Sequence, residues 1–170
     1  MSIVPHFKPE VIGQMPDEMF NDIQTALPTE THWLSRGRAI RWSETDKLHF
    51  PEDTKLIDIL DPCIRSILKA EHQRVSFIEF SVRVGLILPG HVQTPASDRW
   101  HRDGFIREGP SRYITSDCFP TEFLGRWMST YRPEPCELVR FNRKKHRSPT
   151  NNTDAPIHRT WVRATVHRTD

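Results

Sequence analysis

The stretch VSFIEFSVRVGLILPG, residues Val75–Gly90, decides how the second half of this sequence folds. Hydrophobic and polar residues alternate along it, and β-branched and aromatic residues are frequent, which is typical of a strand with one buried face. Three later stretches have the same character: SRYITSDCF (111–119), CELVRFN (136–142) and RTWVRATVHR (159–168). Short strands that follow one another without helices between them predict antiparallel sheets in a sandwich or jelly roll.

The first part of the chain has a helical period instead. Residues 15–27, MPDEMFNDIQTAL, place apolar side chains three and four positions apart, which predicts one helix. Residues 51–73 show the same spacing over a longer stretch. Pro62 interrupts that stretch and should kink it or split it into two helices, because proline lacks the backbone donor that a helix interior needs.

Length and layout together predict one domain. The chain has 170 residues, the usual size of a unit with a single hydrophobic core. We predict a single domain over residues 1–170. In it, a helical N-terminal support (1–74) braces a β-rich core (75–170) that carries the catalytic site.

Composition sets limits on the compartment. The sequence has three cysteines and no CxxC pair, which argues against a disulfide framework and against a cysteine-based zinc site. No stretch approaches the roughly 18 apolar residues of a membrane-spanning helix. The first ten residues, MSIVPHFKPE, lack the basic start and apolar run of a signal peptide. These features predict a cytoplasmic protein with no membrane partner.

The segment RWHRDGF, residues 99–105, holds a histidine and an aspartate two positions apart. In a strand, His101 and Asp103 would point to the same face, because side chains alternate with a period of two. Both could then bind one metal ion, although Asp103-Gly104 is also a common turn pair. Two histidines and one carboxylate on one face of an octahedron leave three positions open, as in non-haem Fe(II) oxygenases.

A further ligand has to come from a distant part of the sequence. His146, His158 and His167 all follow His101 at distances that allow the chain to return to the same sheet face. Spacing alone does not choose among them. Nine histidines are also compatible with zinc in a hydrolase.

Four segments taken in order resemble the Fe(II)- and 2-oxoglutarate-dependent dioxygenase superfamily, in particular its small phage and bacterial members. They are WHRDGF, YITSDCFPTEF, HRSP and RTWVRATV, within residues 83–167. The superfamily pattern is HxD, a distal histidine and an arginine on the following strand. The resemblance implies a mostly β fold with N-terminal helices, built on a double-stranded β-helix of the jelly-roll, cupin-like type.

The resemblance also implies the metal ligands. His101 and Asp103 match the HxD pair, and His146 matches the distal histidine, so these three would bind Fe(II) at the catalytic centre. His158 is the alternative for the third ligand. A carboxylate ligand beside an anion-binding arginine favours iron with a keto acid over zinc.

The same comparison implies how the co-substrate 2-oxoglutarate would be held. An arginine on the strand after the distal histidine would bind the far carboxylate, because a planar guanidinium suits bidentate recognition of a carboxylate. Arg159 and Arg163 both qualify by position, with Arg159 preferred. Tyr113 would donate a hydroxyl hydrogen bond to the co-substrate.

By resemblance, then, the chain would be an oxidoreductase that couples oxidative decarboxylation of 2-oxoglutarate to hydroxylation of a C–H bond. The carboxylate ligand argues against halogenation, since halogenating members leave that position open for halide. The sequence does not identify the substrate. An anionic partner, such as a nucleotide or nucleic acid, and an amino acid or protein side chain both remain open.

Two other functions are compatible with the sequence. The fold could serve a non-catalytic cupin-like binding protein, since a fold does not imply a function. Residues 140–147, RFNRKKHR, form a basic run in a chain whose net charge is only +2. Such a run attracts phosphates and would suit a basic nucleic-acid-binding protein, although a solvated loop has the same composition.

Overall fold

The computed structural model describes residues 8–27, 38–43, 51–72, 74–93, 98–102, 110–142 and 144–168. Within these ranges the chain forms helices and two antiparallel sheets. The helices are α1 (Asp17–Ala26), α2 (Pro51–Ile59) and α3 (Asp61–Ala70). The strands are β1 (Glu10–Gln14), β2 (Arg38–Trp42), β3 (Val75–Ile87), β4 (Ser111–Ser116), β5 (Glu122–Leu124), β6 (Thr130–Tyr131), β7 (Glu137–Arg140), β8 (His146–Arg147) and β9 (Ile157–Arg168).

The helices lie where the apolar spacing predicts them. Met19, Phe20 and Ile23 of α1 are buried, so the predicted apolar stripe is the face that packs on the sheet. The longer helical stretch divides into α2 and α3, with Pro62 in the first turn of α3. Proline is tolerated there because the first helical N–H groups have no partner within the helix.

The larger sheet has the strand order β1-β7-β4-β9-β3-β2, and each neighbouring pair is antiparallel. The smaller sheet has the order β6-β5-β8. From β4 onward the chain passes back and forth between the two: β4 is in the larger sheet, β5 and β6 in the smaller, β7 in the larger, β8 in the smaller and β9 in the larger. This alternation is that of a double-stranded β-helix, and it confirms the predicted jelly-roll fold.

The larger sheet has two faces with different neighbours. Its outer face packs against the helices through a large apolar cluster that includes Phe80, Val162 and Ala164. Its inner face turns toward the smaller sheet. The cluster there is small, and it consists of Ile114, Phe123, Val139 and Phe141, with Tyr131 packed against it.

The part of the chain before residue 75 contributes to the larger sheet as well as the helices. β1 pairs with β7 and β2 pairs with β3, so both edge strands come from this part. The sequence did not predict these two strands. The division into a support (1–74) and a β-rich core (75–170) stays a prediction.

Two expectations from composition can be compared with the structure. Cys63, Cys118 and Cys136 are free thiols, and burial raises the pKa of the Cys63 thiol to about 12, so that side chain is an inert part of the core. Among the helices described here, none is long and apolar enough to cross a membrane.

Candidate active site

His101 and His146 lie side by side at the edge of the smaller sheet. They form an isolated antiparallel bridge in which the His101 N–H donates to the His146 carbonyl at 3.0 Å and the His146 N–H donates to the His101 carbonyl at 2.9 Å. Directly opposed residues of an antiparallel pair share one face. The ring centroids are accordingly only 4.4 Å apart. Two predicted ligands that are distant in sequence are thus brought together by the backbone.

A backbone carbonyl orients each imidazole. Nδ1 of His101 lies 2.9 Å from the carbonyl oxygen of Arg99, and Nδ1 of His146 lies 3.0 Å from that of Lys144. A carbonyl oxygen only accepts hydrogen bonds, so Nδ1 carries the proton in both rings. In the neutral imidazole, Nε2 then has the lone pair that a metal ion needs. The tautomers of this pair therefore fit a metal site.

Aromatic side chains form a wall around His146. The Phe141 ring meets the imidazole edge-on with centroids 4.9 Å apart, and the Phe123 ring lies at 6.1 Å. His146 is only 6% exposed, while His101 is half-buried. Water therefore reaches this pair mainly from the His101 side.

The predicted carboxylate ligand, Asp103, lies outside the described residues. Among the residues that the structure does describe, no group of three His, Cys, Asp or Glu side chains could hold a metal ion. His101 and His146 therefore supply two donors of the predicted site, and Asp103 stays a prediction as the third.

His158, the alternative ligand, has a different position. It is the second residue of β9, opposite Leu86 of β3, and it is exposed. Its immediate neighbour along the strand is Arg159, so the two side chains point to opposite faces of the sheet. His146, and not His158, is the residue that the structure sets beside His101.

Arg159 is completely buried on the inner face of β9, with 0% exposure. Its guanidinium donates to Gln93 Oε1 at 2.8 Å, to the Cys118 carbonyl at 3.3 Å and to Thr121 Oγ1 at 3.4 Å. All three acceptors are neutral. Burial lowers the pKa of Arg159 to about 10, an effect that Cys118 and Asp117 partly oppose. A buried cation whose hydrogen-bond acceptors are neutral favours an anionic partner.

Asp117 holds the segment that touches Arg159. Its Oδ1 accepts the Cys118 N–H at 2.6 Å and the Thr160 N–H at 2.9 Å, while its Oδ2 accepts from Gln24 Nε2 of α1 at 3.0 Å. The carboxylate is therefore surrounded by neutral donors and does not form an ion pair with Arg159. It fixes the turn after β4, from which the Cys118 carbonyl reaches the guanidinium.

Arg163, the second predicted arginine, lies four residues further along β9 and so shares the inner face with Arg159. It is half-buried and pairs across the sheet with Ile114 of the small inner cluster. Its guanidinium lies 5.7 Å from the centre of the Trp161 ring, which Arg83 also approaches at 5.2 Å. The structure thus places both predicted arginines on one face, and only Arg159 is fully enclosed.

Tyr113 is predicted to donate a hydrogen bond to the co-substrate, and its position in the structure contradicts that prediction. Tyr113 pairs with Ala164 of β9, five residues from Arg159, and its ring packs in the cluster against the helices. Its hydroxyl donates to Glu71. The side chain therefore lies on the opposite face of the sheet from Arg159.

Sequence reasoning also missed two residues, Gln93 and Thr121, that hydrogen-bond the Arg159 guanidinium. Thr121 lies within the YITSDCFPTEF segment that carries part of the resemblance, which was a usable signal. No spacing or motif marks Gln93.

Solved structures with a similar fold include two prolyl hydroxylases. A prolyl-4-hydroxylase from Pseudomonas putida superimposes with a TM-score of 0.53 at 12% sequence identity, over 96% of this chain and 92% of that one. A viral collagen prolyl hydroxylase from Paramecium bursaria Chlorella virus-1, solved as a 2-oxoglutarate complex, gives a TM-score of 0.49 at 13% identity, over 90% and 89% of the two chains. No protein-family model and no curated protein matches the sequence. The chain is therefore similar in fold to the Pseudomonas putida enzyme, which agrees with the predicted jelly-roll fold.

Proposed function

We propose that this protein is an Fe(II)- and 2-oxoglutarate-dependent oxygenase that hydroxylates its substrate. The observation that carries the proposal is the His101–His146 bridge, which sets two imidazoles together with Nε2 ready to bind a metal. Fold similarity alone would not carry it, because one fold hosts many functions.

In this proposal, His101, His146 and Asp103 hold the metal. Fe(II) together with 2-oxoglutarate supplies, when bound, the oxidising chemistry that hydroxylates a C–H bond. The backbone carbonyls of Arg99 and Lys144 keep both imidazoles in the metal-binding tautomer. Phe141 and Phe123 exclude water from the His146 side.

Arg159 anchors the far carboxylate of the co-substrate. A guanidinium in a dry site forms strong charge-assisted hydrogen bonds with a carboxylate, and the ligand supplies the charge that its present partners lack. Thr121 Oγ1, 3.4 Å from the guanidinium, is placed to share that carboxylate. Arg163 is the second choice, since it lies on the same face but is partly open to solvent.

Anaerobic addition of Fe(II) and then 2-oxoglutarate, followed by visible absorption, tests the proposal. A keto acid chelating Fe(II) gives a weak charge-transfer band in this superfamily. The wild type and His158→Ala should show the band, whereas His101→Ala and His146→Ala should lose it.

His158→Ala is the matched control, because it also removes a histidine, but one that lies on the face of β9 opposite to Arg159. If the wild type shows no band and takes up no Fe(II) in calorimetry, the oxygenase proposal is wrong. A non-catalytic cupin-like binding protein would then fit the fold better. A band that persists in His146→Ala but disappears in His158→Ala would instead move the third ligand to His158.

A further inference from the structure

A basic pocket opens on the face of the smaller sheet opposite to the histidine pair. Its volume is about 990 Å³. Among the described residues that line it, positive groups outnumber carboxylates, and Glu10 forms an ion pair with Arg140. The positive side chains are those of Lys8, Arg102, Arg140, Lys144 and Lys145. A concave site with this excess of one sign attracts anions.

Strand geometry separates this pocket from the proposed active site. Arg102 directly follows His101, and Lys145 directly precedes His146, so these two basic side chains point away from the histidine face. Phe141 lines the pocket and also packs against the His146 ring. A molecule bound in the pocket would therefore lie across the smaller sheet from the histidine pair, and its chemistry indicates a binding partner.

Several of the positive groups are available to an anionic ligand. In the part of the chain that the structure describes, no carboxylate forms an ion pair with Lys8, Arg102 or Lys145.

An exposed tryptophan lies on the turn at one rim of the pocket. Leu124 and Gly125 line the pocket, and the Gly125 N–H donates to the Ser129 carbonyl at 2.7 Å, which closes a tight turn. At its tip, Trp127 is 84% exposed and Met128 is 77% exposed. Both adopt left-handed backbone conformations, with φ of 57° and 63°, which non-glycine residues rarely do. The turn thus holds a large aromatic surface in water beside a basic pocket.

We propose that this pocket binds single-stranded nucleic acid, with phosphates on the basic side chains and a base stacked on Trp127. This binding site does not depend on the proposed oxygenase function. Proteins that bind single strands combine a positive groove with aromatic side chains in this way. An acidic peptide would use the basic side chains but not the indole. A duplex would have its bases already stacked on one another.

Fluorescence anisotropy with a labelled oligothymidylate of about 12 nucleotides, within the usual range of site sizes, tests this without any metal. The binding constant should fall less steeply with salt in the double variant Lys144→Gln/Lys145→Gln. The slope of the logarithm of the binding constant against the logarithm of the salt concentration should become smaller in magnitude by about 1.4, which is about 0.7 for each phosphate that a lysine no longer neutralises. Trp127→Ala should weaken binding about tenfold, because the base has no aromatic ring to stack on. Arg102→Gln provides a second, independent test of the pocket.

Lys55→Gln/Lys69→Gln is the charge-matched control, since both of these lysines are exposed on α2 and α3. It should bind the oligonucleotide like the wild type. The proposal is overturned if the control weakens binding as much as the pocket variants do. It is also overturned if polyglutamate competes as well as the oligonucleotide, or if duplex DNA binds as tightly.

The two proposals fail separately. A charge-transfer band without oligonucleotide binding would leave the oxygenase in place and remove the nucleic-acid assignment. Oligonucleotide binding that depends on the pocket and Trp127, without any band, would keep the binding site and remove the oxygenase.

Discussion

The two faces of the larger sheet differ although the same strands build both. On the outer face of β9, Val162, Ala164 and Val166 pack against helices in a dry apolar cluster. On the inner face, Arg159 and Arg163 alternate with Trp161. The outer face contributes stability through burial, whereas the inner face carries the buried charge of Arg159, which costs stability unless a ligand neutralises it. Substitutions on the outer face should therefore alter the free energy of unfolding, and substitutions on the inner face should alter the affinity for 2-oxoglutarate.

The largest effect is expected on the outer face. Phe80 is fully buried in the helix-side cluster, and Phe80→Ala should lower the free energy of unfolding by about 3–5 kcal/mol, because it removes buried apolar surface and leaves a cavity. Urea denaturation monitored by circular dichroism measures this. The affinity for 2-oxoglutarate of the remaining folded protein should be unchanged. A fall in that affinity would mean that the two faces are coupled.

Arg159→Met tests the inner face. We expect the affinity for 2-oxoglutarate to fall about a hundredfold or more, because the variant cannot form charge-assisted hydrogen bonds worth roughly 1.5–3 kcal/mol each. The free energy of unfolding should change little, because the loss of a buried charge is opposed by the acceptors of Gln93, Cys118 and Thr121 that are left without a donor. Calorimetric titration of the Fe(II) protein and urea denaturation give the two values.

Tyr113→Phe is the control for Arg159→Met, because it removes a polar group from the outer face of the neighbouring strand. Its affinity for 2-oxoglutarate should equal that of the wild type. If Tyr113→Phe weakened this affinity while Arg159→Met did not, the assignment of the two faces would be reversed.

Glu71 gives the outer face a dependence on pH. Burial by itself would raise the pKa of this carboxyl, but hydrogen bonds from Tyr113, Arg168 and Ser111 outweigh burial and lower it. A carboxyl whose pKa is lowered by folding stabilises the protein at pH values above its ordinary pKa of 4.5. That contribution disappears as the pH falls through the lowered pKa of the folded state.

Glu71→Gln should therefore be about 1.5 kcal/mol less stable than the wild type at neutral pH, the size of one charge-assisted hydrogen bond. The difference should shrink as the pH falls below 4.5. Urea midpoints at neutral and acidic pH test this. A difference that stays constant with pH would show that Glu71 acts by packing and not by charge.

The smallest effect has the opposite sign. The Thr115 hydroxyl is buried on the outer face opposite Val162, and it has no hydrogen-bond partner among the residues described. Thr115→Val keeps the shape and removes the unsatisfied group, so it should raise the free energy of unfolding by about 1 kcal/mol. Thermal denaturation is sensitive enough to detect it. A loss of stability would show that the hydroxyl is satisfied after all.

The sequence predicts the long elements of this fold well. The strands within 75–90 and 159–168 and the helix within 15–27 each extend over enough residues to show their period. Short strands do not: β5, β6 and β8 have two or three residues each, and too few positions alternate to be recognised. Tertiary pairing, and not local pattern, determines these strands.

Residues of the candidate site could be predicted from the sequence only where a motif marks them. The HxD segment marks His101, but nothing in the spacing separates His146 from His158, because the choice depends on which one pairs with His101 across the sheet. The predicted role of Tyr113 was wrong for a similar reason. A tyrosine in a strand is a good candidate donor, but its face depends on register with β9, and its partner Glu71 lies 42 residues earlier in the chain.

The Asp117 carboxylate depends on a residue outside the β-rich part of the chain, so the jelly roll is not independent of the helices. A fragment that starts at Val75 would retain His101, His146 and Arg159, but it would lack the Gln24 amide that α1 donates to Asp117. The turn that offers Cys118 to the guanidinium would then be less firmly held. Enzyme design with this β-structure therefore has to replace that amide in addition to the apolar surface that the helices cover.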